Sequence, residues 1–88
     1  MKEIKKKIDF DEIEKIIKQQ NIDLSGVNVK DKILELFSDI AFLYNNGNIN
    51  PFVSWKCFTF LIDDNQLFFY IRKGNKIIKQ YFWNILAD

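Results

Sequence analysis

The chain has 88 residues, of which 48% are hydrophobic and 16% aromatic, and its 13 basic and 12 acidic side chains give a formal net charge of +1. This composition excludes a disordered chain and predicts one small domain, residues 1–88, with a packed core. The near-neutral charge gives neither the strong positive field of a non-specific nucleic-acid binder nor the acidity of a nucleic-acid mimic.

The residue types that are missing exclude most enzymes. The sequence has no histidine and a single cysteine, Cys57. Without imidazole there is neither a histidine metal ligand nor a nucleophile with a histidine base, so we expect no enzymatic activity and no cofactor. One cysteine cannot form an internal disulfide, which favours a reducing compartment. Because the N-terminus lacks a signal-peptide pattern and no apolar run could span a membrane, we expect a cytoplasmic protein with no membrane partner.

Two amphipathic helices are predicted in the N-terminal half. A capping-box pattern begins at Asp9, and apolar residues at spacings of three and four predict a helix over residues 10–20. Residues 1–7, which precede it, fit either a fraying extension or a short edge strand. The same spacing predicts a second helix over residues 29–44, with Asn28 as its cap. An asparagine- and glycine-rich run before Pro51 ends it.

The segment after Pro51 is rich in aromatic and β-branched residues, which predicts strands. We expect one strand over residues 53–62, a turn at residues 63–65 and a returning strand over residues 66–73, which together form an antiparallel hairpin. Strict alternation divides the first strand into two apolar faces: Trp55, Cys57, Thr59 and Leu61 on one, and Phe58, Phe60 and Ile62 on the other.

The last segment, residues 76–86, fits two structures. Its apolar residues recur in adjacent pairs every four positions, which favours an amphipathic helix capped by Asn75. Gly74 and Asn75 also form a recognised hairpin turn, which favours another strand. The fold class that we expect is therefore α+β: two N-terminal helices packed on a C-terminal antiparallel β-hairpin, followed by a third helix or, alternatively, a third strand.

Two groups of side chains are candidate partner-binding sites. One is a basic run without acidic residues, which a hairpin tip would present to phosphate, and it contains Arg72, Lys73 and Lys76. The other is the aromatic excess of the C-terminal half. If no third helix covers the far face of the hairpin, an exposed patch of the kind that anchors protein interfaces remains, formed by Trp55, Phe68, Tyr70 and Trp83.

These features predict a small non-enzymatic protein-binding module, an inhibitor or antagonist of another protein such as an immunity protein, an antitoxin or a phage counter-defence factor. Such a protein needs only a stable surface with a few anchors. The alternative is a small DNA-binding regulator that resembles winged-helix proteins in outline, although its recognition helix, residues 29–44, offers only Lys30 and Lys32 near its start. A third possibility is the subunit of a structural homo-oligomer, including a homodimer.

Overall fold

A computed structural model describes residues 1–87, which form three helices followed by four strands. The helices are α1 (Lys2–Lys7), α2 (Phe10–Gln19) and α3 (Val29–Asn45). The strands are β1 (Phe52–Trp55), β2 (Phe58–Asp63), β3 (Gln66–Lys73) and β4 (Lys76–Asn84), and a short 3-10 helix, Ile85–Ala87, follows them. The strands form one antiparallel sheet in the order β1-β2-β3-β4. The predicted α+β class is confirmed.

The two longer helices begin at the side chains that were expected to cap them. The Asp9 carboxylate accepts the Glu12 N–H at 3.0 Å, and the Asn28 side chain accepts the Asp31 N–H at 3.0 Å. Each bond satisfies one of the N–H groups that a helix start leaves without a partner. The first residues form a separate helix, α1, rather than an edge strand, and α1 buries Ile4 in the core.

Two predictions for the C-terminal half are wrong. The expected single strand over residues 53–62 is divided into β1 and β2 by a two-residue turn at Lys56 and Cys57, with Lys56 in the left-handed region at φ 49°. The helix favoured for residues 76–86 is absent, because β4 continues from a turn at Gly74 and pairs with β3 along its length. The strand alternative is therefore correct for this segment.

A bulge explains why β4 was interpreted as a helix. Lys79 pairs with Ile71 and Ile77 pairs with Arg72, so Ile78 is an extra residue without a partner on β3. This insertion interrupts the two-residue alternation of the strand and places two isoleucines side by side. Adjacent apolar pairs are also what a helix with a wide apolar stripe shows, so the pattern alone favoured the wrong period.

The helices cover only one face of the sheet. Its buried side chains are Phe58, Phe60, Ile62, Leu67, Phe69 and Ile71. The Phe37 ring of α3 meets Phe60 edge-on at 5.9 Å, and the Lys32 ammonium of α3 lies 4.5 Å from the centre of the Trp55 ring on the same face. Within residues 1–87 the opposite face has no covering element, and we call it the open face.

Candidate functional site

A row of apolar side chains crosses the open face from one edge of the sheet to the other. The strand register aligns Phe52, Leu61, Phe68 and Phe82, one from each strand. Directly opposed residues on antiparallel strands are neighbours on one face, and the rings of Phe68 and Phe82 lie 6.2 Å apart. Tyr70 lies beside this row and stacks parallel to Phe68 at 6.2 Å. We call the four aligned residues the apolar row.

The apolar row is most exposed at its two ends. Phe52 is 58% exposed and Phe82 is 62% exposed, whereas Leu61 and Phe68 are half-buried. If a phenylalanine side chain offers about 200 Å², the two end residues alone expose on the order of 240 Å². With the half-buried residues, the row reaches the range of about 300–600 Å² that is typical of the largest apolar patch on a monomer. Patches of this size are often functional.

The rows on either side of the apolar row are polar and almost uncharged. Ser54, Thr59, Tyr70 and Gln80 form one of them, and Asp63, Gln66 and Asn84 form the other. The hydroxyl oxygens of Ser54 and Thr59 are 3.0 Å apart and hydrogen-bonded to each other. Only Asp63 is charged. An apolar centre between polar margins, with few charges, is the composition of a protein interface.

The four aromatic residues that the sequence singled out do not form one patch. Phe68 and Tyr70 lie together on the open face, but Trp55 and Trp83 lie on the helix-covered face, at opposite edges of the sheet. Both tryptophans are half-buried against the core. The single patch of four aromatics is therefore wrong, and two of its members remain as candidates.

Three residues of the apolar row were missed. Phe52 lies outside the strand that was predicted, Leu61 was grouped with Trp55, and Phe82 was placed in a helix. The omissions of Phe52 and Phe82 follow from errors about strands, whereas Leu61 was left out because the candidate patch contained only aromatic residues. With the correct strand bounds, simple alternation would have put all three on the face of Phe68.

The basic run does lie at one hairpin turn, as expected for the strand alternative. Lys73 and Lys76 are cross-strand partners next to the turn at Gly74, and Arg72 precedes them. The Lys73 ammonium, however, donates a hydrogen bond to the Gln20 carbonyl oxygen at the end of α2, at 2.5 Å. A lysine at that position offsets the negative end of the helix dipole. Because the Lys73 ammonium already makes this hydrogen bond within the fold, it is less available to bind a phosphate group.

The solvent-facing side of α3 is acidic. Asp31, Glu35 and Asp39 are exposed and follow one another at intervals of four residues, so they form a stripe along the helix. The Lys32 ammonium lies 3.4 Å from the Glu35 carboxylate and over the Trp55 ring. A negative stripe on the candidate recognition helix repels the phosphate backbone of DNA.

One polar link connects the helices to the edge of the sheet. The Tyr81 hydroxyl on β4 donates a hydrogen bond to the Glu12 carboxylate of α2, and the Lys79 ammonium lies 3.6 Å from the same oxygen. Partial burial, and then the hydrogen bond to the carboxylate, raise the pKa of Tyr81 above its ordinary value. This link fixes β4 against α2.

Replacing Tyr81 with phenylalanine is expected to lower the free energy of unfolding at pH 7 by about 1 kcal/mol, because one hydrogen bond to a charged acceptor is lost. Since folding raises the pKa of Tyr81 above about 10, its contribution is complete below pH 10 and is lost as the pH rises further. Urea unfolding at pH 7 and pH 10.5 should show a smaller alkaline loss for Tyr81→Phe than for the parent. Tyr70→Phe, on the open face, serves as the control and should behave like the parent.

The remaining side chains of residues 1–87 with chemistry of their own are a single thiol and the acidic groups. Cys57 is buried, and burial raises the pKa of its thiol, so the thiol stays protonated at neutral pH and is a poor nucleophile. Among residues 1–87, no three acidic or cysteine side chains are grouped so that they could hold a metal ion. Over the same residues, no helix combines the length and the apolar character needed to cross a membrane.

Comparison with known proteins adds no assignment. No family model matches the chain, and neither a curated protein nor a solved structure matches it. The apolar row on the open face lies outside the core cluster and carries two of the exposed phenylalanines of the described residues. It is therefore the candidate functional site.

Proposed function

We propose that this chain is a protein-binding module without enzymatic activity, which docks another protein on the open face of its sheet. The apolar row carries the proposal, because it leaves two phenylalanines, Phe52 and Phe82, more than half exposed on a regular, hydrogen-bonded surface. Folding leaves the greater part of both rings in contact with water. Burying them against a partner supplies the apolar contact that anchors a protein interface.

The module acts in this proposal as an inhibitor or antagonist of the protein it binds, in the manner of an immunity protein, an antitoxin or a phage counter-defence factor. An inhibitor needs a rigid surface rather than a reaction centre. The open face has that rigidity, since its central strands β2 and β3 are paired on both sides. The proposed compartment is the cytoplasm, where a lone buried thiol such as Cys57 remains reduced.

The experiment is a comparison of affinity captures from the native cells with matched variants. The Phe52→Ser variant removes an exposed ring from the open face, and the Phe42→Ser variant removes a ring that is 66% exposed on α3, in the helical layer. We expect one protein to be recovered at near one-to-one stoichiometry by the parent and by Phe42→Ser, and to be lost with Phe52→Ser. Equal recovery with both variants, or loss with both, contradicts docking on the open face.

A DNA-binding regulator is the second candidate, and the basic turn at Arg72, Lys73 and Lys76 is the observation in its favour. Two observations weigh against it. Lys73 is bonded to the end of α2, and the exposed side of α3 carries the acidic stripe from Asp31 to Asp39. A phosphate-binding wing beside an acidic recognition helix cannot hold a duplex in the usual geometry.

Titration with mixed-sequence duplex DNA separates the two candidates. We expect no appreciable binding by the purified protein at physiological salt, because 12 acidic side chains offset the 13 basic ones and the net charge is only +1. Fluorescence anisotropy at about 50 and 200 mM salt is the measurement. The DNA-binding hypothesis would be supported instead by micromolar binding that weakens steeply with salt and is lost in a variant with alanine at Arg72, Lys73 and Lys76.

A further inference from the structure

The long edge of the sheet has free main-chain groups beside its most exposed ring. The Ile85 N–H donates to the Asn65 carbonyl at 2.9 Å, which identifies Ile85 as a residue whose main chain points towards β3. In an antiparallel pair this orientation alternates along the strand. Counting back along β4 from Ile85, every second residue points its main chain towards β3. The residues between them direct their N–H and C=O groups away from the sheet, and these are Gln80, Phe82 and Asn84.

The devices that protect an edge strand are confined to the first half of β4. Lys76, the bulge at Ile78 and Lys79 all precede Gln80. From Gln80 to Asn84 there is no charge, no proline and no bulge, so this stretch is open to another strand. The side chains of the same three outward residues lie on the open face, with the 62% exposed Phe82 between two amides.

We propose that the β4 edges of two copies of this chain pair antiparallel about a two-fold axis at Phe82, joining two four-stranded sheets into one of eight strands. In this register Phe82 lies opposite the partner's Phe82, and Gln80 lies opposite the partner's Asn84. All the outward N–H and C=O groups of the stretch then meet outward groups of the other copy, which provides about six hydrogen bonds. The inference uses the edge of the sheet and does not depend on the proposed function.

The side chains make a second copy the fitting occupant. On the open face the Gln80 amide lies opposite the partner's Asn84 amide, and the two Phe82 rings lie opposite each other. On the other face Tyr81 lies opposite the partner's Trp83, and both are half-buried aromatic residues. The apolar rows of the two copies become continuous. A shift of two residues towards the N-terminus would place Lys79 inside the paired stretch, and one towards the C-terminus would extend the stretch into the 3-10 helix Ile85–Ala87. A shift of one residue would oppose groups that cannot bond, so the register is specified.

Cysteine cross-linking tests this register. In the Phe82→Cys variant the two new thiols face each other across the axis, with Cα atoms about 5.5 Å apart, which suits a disulfide. In the Gln80→Cys variant the two new thiols are about 13 Å apart, four residues along the strand. We expect Phe82→Cys to cross-link at least tenfold faster than Gln80→Cys, and a mixture of Gln80→Cys with Asn84→Cys to form the mixed disulfide. The parent controls for the buried Cys57.

The mass of the unmodified chain in solution provides the second measurement. Sedimentation equilibrium should show the mass rising with concentration from 10.6 kDa towards twice that value. Gln80→Pro should remain monomeric with an unchanged far-UV spectrum, because the N–H that it removes points away from β3. A parent that stays monomeric up to about 1 mM, or equal cross-linking of the Gln80→Cys and Phe82→Cys variants, overturns the proposal. Neither result affects docking on the open face, which the Phe52→Ser capture tests separately.

Discussion

Replacing Phe69 with alanine is expected to lower the free energy of unfolding by about 3–5 kcal/mol. Phe69 is completely buried in the middle of β3, where its ring centre lies 4.5 Å from that of Phe60 and 5.7 Å from that of Phe58. It also lies 6.0 Å from Tyr81, so one ring joins the central strands to the edge strand. Truncation removes these contacts and leaves a cavity that the surrounding strands and helices cannot close. Small domains have a total stability of about 5–15 kcal/mol, so much of it is lost.

Urea unfolding monitored by tryptophan fluorescence measures this effect. The matched control is Phe42→Ala, which removes the same atoms from an exposed ring on α3 and should change the free energy of unfolding by less than about 0.5 kcal/mol. Equal effects of the two substitutions would show that the centre of the core does not lie at Phe69. If Phe69→Ala proves too unstable to purify, Phe69→Leu should still fold, with a smaller loss.

The elements that were predicted correctly are those whose signals are local. The caps at Asp9 and Asn28 stand next to the helices that they begin, and the alternation of β3 is complete because the extra residue of the bulge lies on β4. Leu67 and Phe69 are buried on one side of β3, and Phe68 is half-buried on the other. In such segments every residue favours the same secondary structure, so a short window of sequence is sufficient to predict it.

The turn between β1 and β2 could not be predicted because its residues are unusual. Lys56 adopts a positive φ, which glycine or asparagine normally supplies, and neither flanks it here. Without that turn, strict alternation puts Trp55 on the face opposite Phe58. With it, Trp55 pairs directly with Phe58 and shares its face. The two turn residues, Lys56 and Cys57, therefore place Trp55 on the helix-covered face, whereas the sequence predicted it on the open face.

The sequence predicted the open face only in part. The apolar excess after Pro51 indicated an uncovered face if no third helix followed the hairpin, and Phe68 and Tyr70, which were expected on that face, do lie there. Its full extent depends on which residues oppose one another across four strands. That register is fixed by the three turns and the bulge at Ile78, which depend on how neighbouring strands pair rather than on the pattern of any one strand.

Affinity for the partner protein is expected to depend on the apolar row and not on the basic turn. Phe68 lies at the centre of the row, between Leu61 and Phe82, and residues at the centre of an interface contribute most of its binding energy. Phe68→Ala should therefore weaken the complex by about 2 kcal/mol, which is about 30-fold in Kd. Phe68→Leu keeps most of the apolar contact and should lose less.

The comparison variant carries alanine at Arg72, Lys73 and Lys76. Charges at the margin of an interface mainly alter the association rate and are screened by salt, so this variant should change Kd by less than about threefold at physiological salt. Isothermal titration of the captured partner at two salt concentrations measures both effects, and urea unfolding of each variant separates binding from stability. A larger loss in the triple variant than in Phe68→Ala, together with a parent affinity that falls steeply with salt, would assign the interaction to the basic turn. A loss confined to Phe68→Ala, with Kd insensitive to salt, assigns it to the open face.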